Sequence, residues 1–80
     1  MPTVLRWNGY RFFFFSNEGF EPRHIHVDKS GNSVKFWLEP VSLASNRGFR
    51  SHELTAIRAL VLEHAAWFLE RWNAYFGGQQ

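Results

Sequence analysis

Apolar and polar residues alternate with a period of two along four short stretches in the first half of the chain, which is the pattern of half-buried β-strands. These stretches cover about residues 3–7, 10–16, 23–28 and 33–39. In the second half, apolar residues recur every three or four positions over about residues 51–76, which predicts one amphipathic helix. The predicted fold is α+β: two consecutive β-hairpins form an antiparallel sheet of about four strands, which packs on one C-terminal helix.

Two turn signals predict how the strands pair. Asn8-Gly9 separates the first two stretches, and Asn-Gly is favoured in two-residue type I′ hairpin turns because both central positions need a positive φ. Residues 29–32 form the second turn, and a regular hairpin around them places His26 directly opposite Lys35. Both hairpins are therefore expected to have a defined register.

The segment from Pro40 to Arg50 is interpreted as a connector between the sheet and the helix. Proline has no backbone N–H to donate to a neighbouring strand, so Pro40 is expected to end the fourth strand. Ser51 is a suitable N-cap residue, and Glu53 places a negative charge in the first helical turn, where the helix dipole favours it. These residues predict the start of the helix.

Length and composition limit the class of protein. Eighty residues are enough for one domain, which is expected to span residues 1–80. The absence of cysteine excludes disulfides and thiolate metal sites. No apolar stretch is long enough for a signal peptide or a membrane span, so we expect a cytoplasmic protein without membrane contact.

The charge of the chain bears on its partners. A net charge of +2 is small for a protein that coats DNA, which usually carries a denser row of Lys and Arg. Contact with RNA or phosphate stays open, because seven of the nine cationic side chains are Arg, the better bidentate phosphate binder. Charge alone does not decide whether the protein is an enzyme.

The aromatic content is high, with nine Phe, four Trp and two Tyr. One helix covers only one face of a sheet, so Phe13 and Phe15 are expected on the uncovered face, and Leu60 and Trp67 lie on a second edge of the predicted helix. Contiguous exposed apolar surface usually marks a binding site. We therefore predict that these residues bind a partner, either a second copy or another protein. The alternative is a curled sheet that buries both faces.

The histidines of the third stretch, His24 and His26, are the first candidates for chemistry. They are two residues apart on a predicted strand and so share one face, and the register places Lys35 and Trp37 beside them. In one interpretation, the two imidazoles exchange protons with an RNA phosphodiester, Lys35 stabilises the developing charge and Trp37 stacks on a base. In another, the histidines are ordinary polar residues on the outer face of a hairpin.

A third interpretation assigns His24 and His26 to a metal ion, because two imidazoles on one strand face can converge on one cation. The ion would need a third ligand, which Glu21, Glu39 or His52 would have to supply. No other cofactor is expected.

A second candidate site precedes the helix. The free backbone N–H groups of a helix N-terminus, together with Arg47 and Arg50, predict a phosphate-binding site. The alternative is a capped connector whose arginines are solvated or paired with Glu39 and Glu53.

Several of these segments together resemble the bacterial family known as domain of unknown function 4160. The resemblance covers nearly the whole chain, and the segments that carry it are Met1–Arg6, Gly9–Phe14, Ser16–Glu18, Glu21–Val27, Lys35–Val41 and Asn46–Phe49. It implies a component of a toxin–antitoxin pair whose partner is a small protein of the domain of unknown function 2442 family. It assigns no catalytic residue.

Carried over by position, the family pattern points to seven side chains: His24, His26, Lys35, Trp37, Glu39, Asn46 and Arg47. The family often has proline at the position of Arg23, which makes the entry to the third strand less rigid here. The leading hypothesis is a toxin-like protein that acts on RNA and is covered by its cognate partner. The alternatives are a non-catalytic interaction module and a metal-binding domain.

Overall fold

The computed structural model describes residues 3–77, so the two ends of the predicted 1–80 domain, residues 1–2 and 78–80, lie outside the described part. The predicted α+β fold is confirmed. The elements, in chain order, are β1 (Thr3–Trp7), β2 (Tyr10–Phe13), β3 (His24–Lys29), β4 (Asn32–Leu38), β5 (Val41–Arg47) and α1 (Ser51–Phe76). The strands form one antiparallel sheet in the order β1-β2-β3-β4-β5, so each strand pairs with its neighbour in sequence.

The registers predicted from the turns are confirmed next to each turn, but a β-bulge in β1 shifts the register between Thr3 and Leu5, so that Thr3 pairs with Phe13. Asn8 and Gly9 have φ values of 52° and 83°, which are the positive values that a type I′ turn requires. In the second hairpin, His26 pairs with Lys35. The same register sets His24 opposite Trp37, so the histidines and their cross-strand neighbours lie where the alternation placed them.

The prediction of a connector after Pro40 is wrong, because Val41–Arg47 forms the fifth strand. Pro40 lies in the tight turn between β4 and β5, where Leu38 pairs with Val41, and a turn position needs no ladder hydrogen bond from proline. The second strand is also shorter than predicted, since it ends at Phe13. The chain after it leaves the sheet and returns over the end of β3.

The helix has the predicted bounds, but Arg50 and not Ser51 occupies the N-cap position. The carboxylate of Glu53 accepts a hydrogen bond from the backbone N–H of Arg50 at 2.9 Å, which satisfies one of the donors that a helix start leaves free. Gly77 ends the helix in the left-handed conformation with φ 72°, and its N–H donates to the carbonyl of Asn73.

The core lies between α1 and one face of the sheet. Its buried apolar members come from β2, β3 and β4, from the segments that follow β2 and β5, and from one face of α1, where Trp72 near the end of the helix is fully buried. Phe14, just after β2, packs on Trp72 and Phe76, with ring centroids 5.3 Å away in both cases. These aromatic contacts fix the end of the helix against the segment that follows β2. Within residues 3–77, no helix has the length and apolar character of a membrane span.

Candidate functional site

The two histidines of β3 lie side by side at one end of the sheet. Their ring centroids are 5.0 Å apart and the rings are perpendicular. The side chain of His24 is fully buried, with the ring of Trp72 at 4.9 Å and the ring of Trp37 at 5.8 Å. His26 is half-buried and faces the side of the sheet opposite the helix. The pair is therefore shared between the core and the outer surface.

The loop between β2 and β3, residues 14–23, brings a carboxylate between the two rings. One oxygen of Glu18, Oε1, lies 2.7 Å from Nε2 of His24 and 3.0 Å from Nε2 of His26. The loop is held by backbone hydrogen bonds from Glu18 to Phe15 and from Glu21 to Glu18. Gly19 packs so closely on Phe76 that an added Cβ would lie 2.6 Å from a ring carbon.

The sequence analysis did not identify Glu18, because the alternation of polar and apolar residues in the flanking strands does not predict where a loop side chain lies. The available signal was weak: two carboxylates precede the histidines in a loop punctuated by glycine and proline. Glu21 was considered, whereas Glu18 was not. The fold of the loop decides between them.

The second nitrogen of the His24 ring fixes how the ring is protonated. Nδ1 lies 2.8 Å from the backbone carbonyl of Pro22, which can only accept, so Nδ1 carries a hydrogen and donates it. In a neutral ring, Nε2 is then a lone pair that faces the carboxylate oxygen of Glu18 at 2.7 Å. Two acceptors at this distance need a proton or a cation between them.

The pKa values of the other two groups favour an anion beside a neutral ring. Burial raises the pKa of Glu18, but the hydrogen bonds from His24 and His26 outweigh it, and the pKa lies below its usual value of 4.5. Burial lowers the pKa of His26 below its usual 6.5, against the opposing effect of Glu18. At neutral pH, Glu18 is ionised and His26 is neutral, which are the forms that bind metal ions.

The three groups fit a metal ion. One ring nitrogen of His24, one ring nitrogen of His26 and a carboxylate oxygen of Glu18 all lie within 4.8 Å of one another. Ligands about 2.1 Å from an ion are about 3.0 Å apart at right angles and about 3.4 Å apart in a tetrahedron. The separations of 2.7 and 3.0 Å from Glu18 require only a shift of a few tenths of an ångström by a loop side chain.

None of the third ligands considered from the sequence takes this place. Glu21 binds Lys35, with Oε1 2.8 Å from Nζ, and its Oε1 is 3.9 Å from Nδ1 of His24. Glu39 accepts a hydrogen bond from Arg23 at 2.7 Å. His52 lies exposed in the first turn of α1. Glu18, and none of these three side chains, lies between the two histidine rings.

The side chains opposite the histidines are tied into the same region. Lys35 lies across from His26, and its ammonium group is 4.6 Å from the centre of the Trp37 ring. Trp37 lies edge-on to the buried His24 and is itself half-buried. Lys35 and Trp37 therefore flank the histidines as expected, but Glu21 already neutralises part of the lysine charge.

A groove runs along the outer face of the sheet beside His26. It has a volume of about 730 Å³, and its lining includes Lys29, Lys35, Arg47 and the single carboxylate of Asp28. His24 does not line this groove, because its ring is buried behind His26. The structure thus brings three of the predicted catalytic and phosphate-binding residues to one open surface: His26, Lys35 and Arg47.

The two arginines expected to form an anion site before the helix are separated. Arg47 lines the groove, whereas Arg50 caps the helix and does not line it. Glu53 accepts the N–H of Arg50, so part of the helix N-terminus is already neutralised by the chain itself. Asn46, near the end of β5, exchanges two hydrogen bonds with the backbone of Phe49 and shapes the turn that leads to the helix.

The expected partner-binding surface is only partly exposed. Phe13 is 3% exposed, so the expectation that it contributes apolar surface is wrong. Its ring is covered by the Arg11 guanidinium at 4.3 Å and stacks on the His26 ring at 5.3 Å. Phe15 is 39% exposed and meets the ring of Phe13 edge-on. Outer-face side chains thus bury one another without a second layer.

On the helix, Trp67 is 43% exposed, and the guanidinium of Arg71 lies 5.3 Å from its ring. Leu60 is half-buried against the core. The partner-binding role of this edge stays a prediction.

The sequence was compared with known protein families. The family model described as Domain of unknown function (DUF4160) matches residues 9–73. The chain belongs to this family. The matched part of the DUF4160 chain runs from the first turn to the last turns of α1 and contains Glu18, His24 and His26. No curated protein and no solved structure matches the chain.

Proposed function

We propose that the domain binds one divalent first-row transition-metal ion through Glu18, His24 and His26. The observation that carries the proposal is that a single carboxylate oxygen lies 2.7 and 3.0 Å from the Nε2 atoms of two different histidines. The hydrogen bond from His24 to the carbonyl of Pro22 supports it further. Metal-binding histidines commonly donate their other ring N–H to a backbone carbonyl or a carboxylate, which orients the ring.

The chemistry of the donors indicates the class of ion. Imidazole nitrogen suits Zn²⁺, Fe²⁺, Co²⁺, Ni²⁺ and Cu²⁺, whereas Mg²⁺ and Ca²⁺ prefer sites made of oxygen ligands. Two histidines and one carboxylate are three protein ligands, so at least one position of the ion stays open to a further ligand. Such a set serves binding of an exogenous group better than a closed structural site.

The proposal is tested by titrating tag-free protein with Co²⁺ and recording the visible absorption, followed by competition with Zn²⁺. Wild type is expected to bind one Co²⁺ that Zn²⁺ displaces. Glu18→Gln keeps the shape of the side chain and removes its charge, and His26→Ala removes one ligand. Loss of an outer-shell partner of a metal ligand typically lowers the metal affinity by about 10- to 100-fold. Each of these variants changes a ligand itself, so its affinity for Co²⁺ is expected to fall by at least this much.

The matched control is His52→Ala, which removes an exposed imidazole outside the site. It is expected to bind Co²⁺ as wild type does. Circular dichroism verifies that every variant is folded. Equal Co²⁺ affinity of wild type and the two site variants would contradict the proposal.

The second candidate is an RNA-directed, toxin-like component of a toxin–antitoxin pair. The groove supports it, because it gathers His26, Lys35 and Arg47 on one open face. His26 is the histidine that can touch a phosphodiester, while the buried His24 acts on it through Glu18. Trp37 lies beside Lys35 as a surface for a base.

A growth assay tests this second candidate. Growth arrest by the wild type but not by a folded His26→Ala variant is expected in a bacterial host, with His52→Ala as the control that still arrests growth. Equal growth of wild type and His26→Ala would count against it. The cognate partner, a protein of the domain of unknown function 2442 family, is expected to restore growth on co-expression and to cover Phe15 and Trp67.

A further inference from the structure

We infer that the ligand which completes the proposed metal site carries a phosphate group and lies in the groove on the outer face of the sheet. This inference rests on the proposed metal site and adds the chemical class of its external ligand. His26 links the two parts, because its Nε2 atom contacts Glu18 and its side chain also lines the groove. Glu18 and His24 do not line the groove, so an ion held by the three side chains would lie beside it, next to the ring of His26.

The sheet register continues the site away from the ion. Phe13, His26, Lys35 and Ser45 are successive cross-strand neighbours on β2, β3, β4 and β5, and all four line the groove. Arg47 is two residues beyond Ser45 and faces the same side of the sheet. A ligand that extends from the metal along this row reaches a hydroxyl and two cationic side chains.

The charges of the groove select an anion. Its lining includes Lys29, Lys35 and Arg47 and the carboxylate of Asp28, which is 4.0 Å from Arg11. The ammonium of Lys29 lies over the Tyr10 ring and that of Lys35 binds Glu21, so Arg47 is the lining cation for which the described residues show no carboxylate or ring partner. A divalent ion that is neutralised by Glu18 alone adds a further positive charge. A phosphate monoester carries about −1.5 to −2 at neutral pH and offers several acceptor oxygens, so it compensates this set better than a single carboxylate does.

The size of the groove indicates that the phosphate belongs to a larger molecule. A volume of about 730 Å³ lies within the range of about 300–1,000 Å³ that is usual for sites of whole small-molecule ligands. Phe15, 39% exposed, lines one wall and offers a ring face to an aromatic group. The occupant is therefore a nucleotide-like phosphate ester, either free or as part of an RNA strand.

The test uses the protein fully loaded with Co²⁺, whose visible spectrum reports directly on ligands of the ion. AMP, inorganic phosphate, a short oligouridylate and adenosine are added separately. The three phosphate compounds are expected to change the spectrum and adenosine is not. Tighter binding of the oligouridylate assigns the site to RNA, and tighter binding of AMP assigns it to free nucleotides.

Arg47→Gln, measured on its own Co²⁺-loaded form, is expected to bind the preferred phosphate compound about tenfold more weakly, as expected for loss of a charge-assisted contact. Arg58→Gln is the matched control, since Arg58 is exposed on α1 and does not line the groove. An unchanged spectrum with every phosphate compound overturns this inference and leaves the metal site intact. Equal weakening by Arg47→Gln and Arg58→Gln also overturns it, and failure to bind Co²⁺ removes both proposals.

Discussion

Replacing Glu18 by alanine is expected to destabilise the metal-free protein strongly. The side chain of Glu18 is 16% exposed and accepts hydrogen bonds from two rings, one of which, His24, is fully buried. Alanine removes both acceptors and provides no replacement. Because His24 is fully buried, its Nε2 atom loses the partner that it has in the structure.

The magnitude follows from the burial of each ring. A buried polar group left without a partner costs about 1–3 kcal/mol, and this applies in full to His24. His26 is 15% exposed and can bond to water, so its loss is at the lower end. We expect a total of about 2–3 kcal/mol, against the roughly 4–12 kcal/mol that a domain of this length usually has. At about 4–8 °C per kcal/mol, the melting temperature falls by about 10–20 °C.

The assay is urea and thermal denaturation in the presence of EDTA, followed by circular dichroism. Glu63→Ala is the matched control, because Glu63 is an exposed carboxylate on α1 and such changes usually alter stability by less than about 0.5 kcal/mol. Glu18→Gln is expected to fall between the two, since it keeps an acceptor oxygen but loses the charge. A Glu18→Ala variant as stable as Glu63→Ala would refute the reasoning that the carboxylate holds the two rings.

Three further perturbations test the elements around the site. The folded-state pKa values of Glu18 and His26 both lie below their usual 4.5 and 6.5, so the unfolded chain binds more protons than the folded one. The metal-free protein should therefore lose stability as pH falls below about 6.5 and again below about 4.5. A flat profile of unfolding free energy against pH would contradict this. Gly19→Ala places a Cβ 2.6 Å from the Phe76 ring, and we expect a loss of about 1–3 kcal/mol and weaker Co²⁺ binding, with a much smaller loss in a Phe76→Ala background. Glu53→Ala removes the acceptor of the Arg50 N–H and is expected to cost about 0.5–1 kcal/mol in urea denaturation, with no effect on Co²⁺ binding.

The hairpins were predictable because their information is local. A two-residue Asn-Gly turn fixes the pairing of its strands, and Asn8 and Gly9 adopt the positive φ values that this turn needs. The second turn was predicted over residues 29–32 and is in fact the two-residue loop Ser30-Gly31, since Lys29 pairs with Asn32. Both loops give the same register, so the positions of Lys35 and Trp37 opposite the histidines could be derived. The fifth strand was missed because Pro40 was interpreted as ending the sheet, whereas it lies in a turn from which the chain returns.

Of the candidate site, the histidine pair could be predicted from the sequence, whereas Glu18 could not. A strand with a period of two places His24 and His26 on one face, and this depends only on their spacing. The loop that brings Glu18 to them is held by contacts distant in sequence, such as Gly19 on Phe76. No local pattern encodes those contacts. For the same reason the burial of Phe13, which depends on Arg11 and His26 from two strands, was not foreseen.

The burial of His24 also changes the interpretation of the pair. Two histidines on a strand face suggested two equivalent groups exposed to substrate. Trp72, which is distant from both histidines in sequence, packs against the His24 ring from the helix. The pair therefore consists of one interior ring and one surface ring, joined by Glu18.

X-ray absorption spectroscopy at the Zn K-edge of the Zn²⁺-loaded protein tests the central claim most directly. We predict a first shell of nitrogen and oxygen at about 2.0–2.1 Å, with the outer-shell scattering of two imidazoles in wild type and of one in His26→Ala. A wild-type spectrum without imidazole scattering, or one that His26→Ala leaves unchanged, would contradict the assignment of Glu18, His24 and His26 as the metal site.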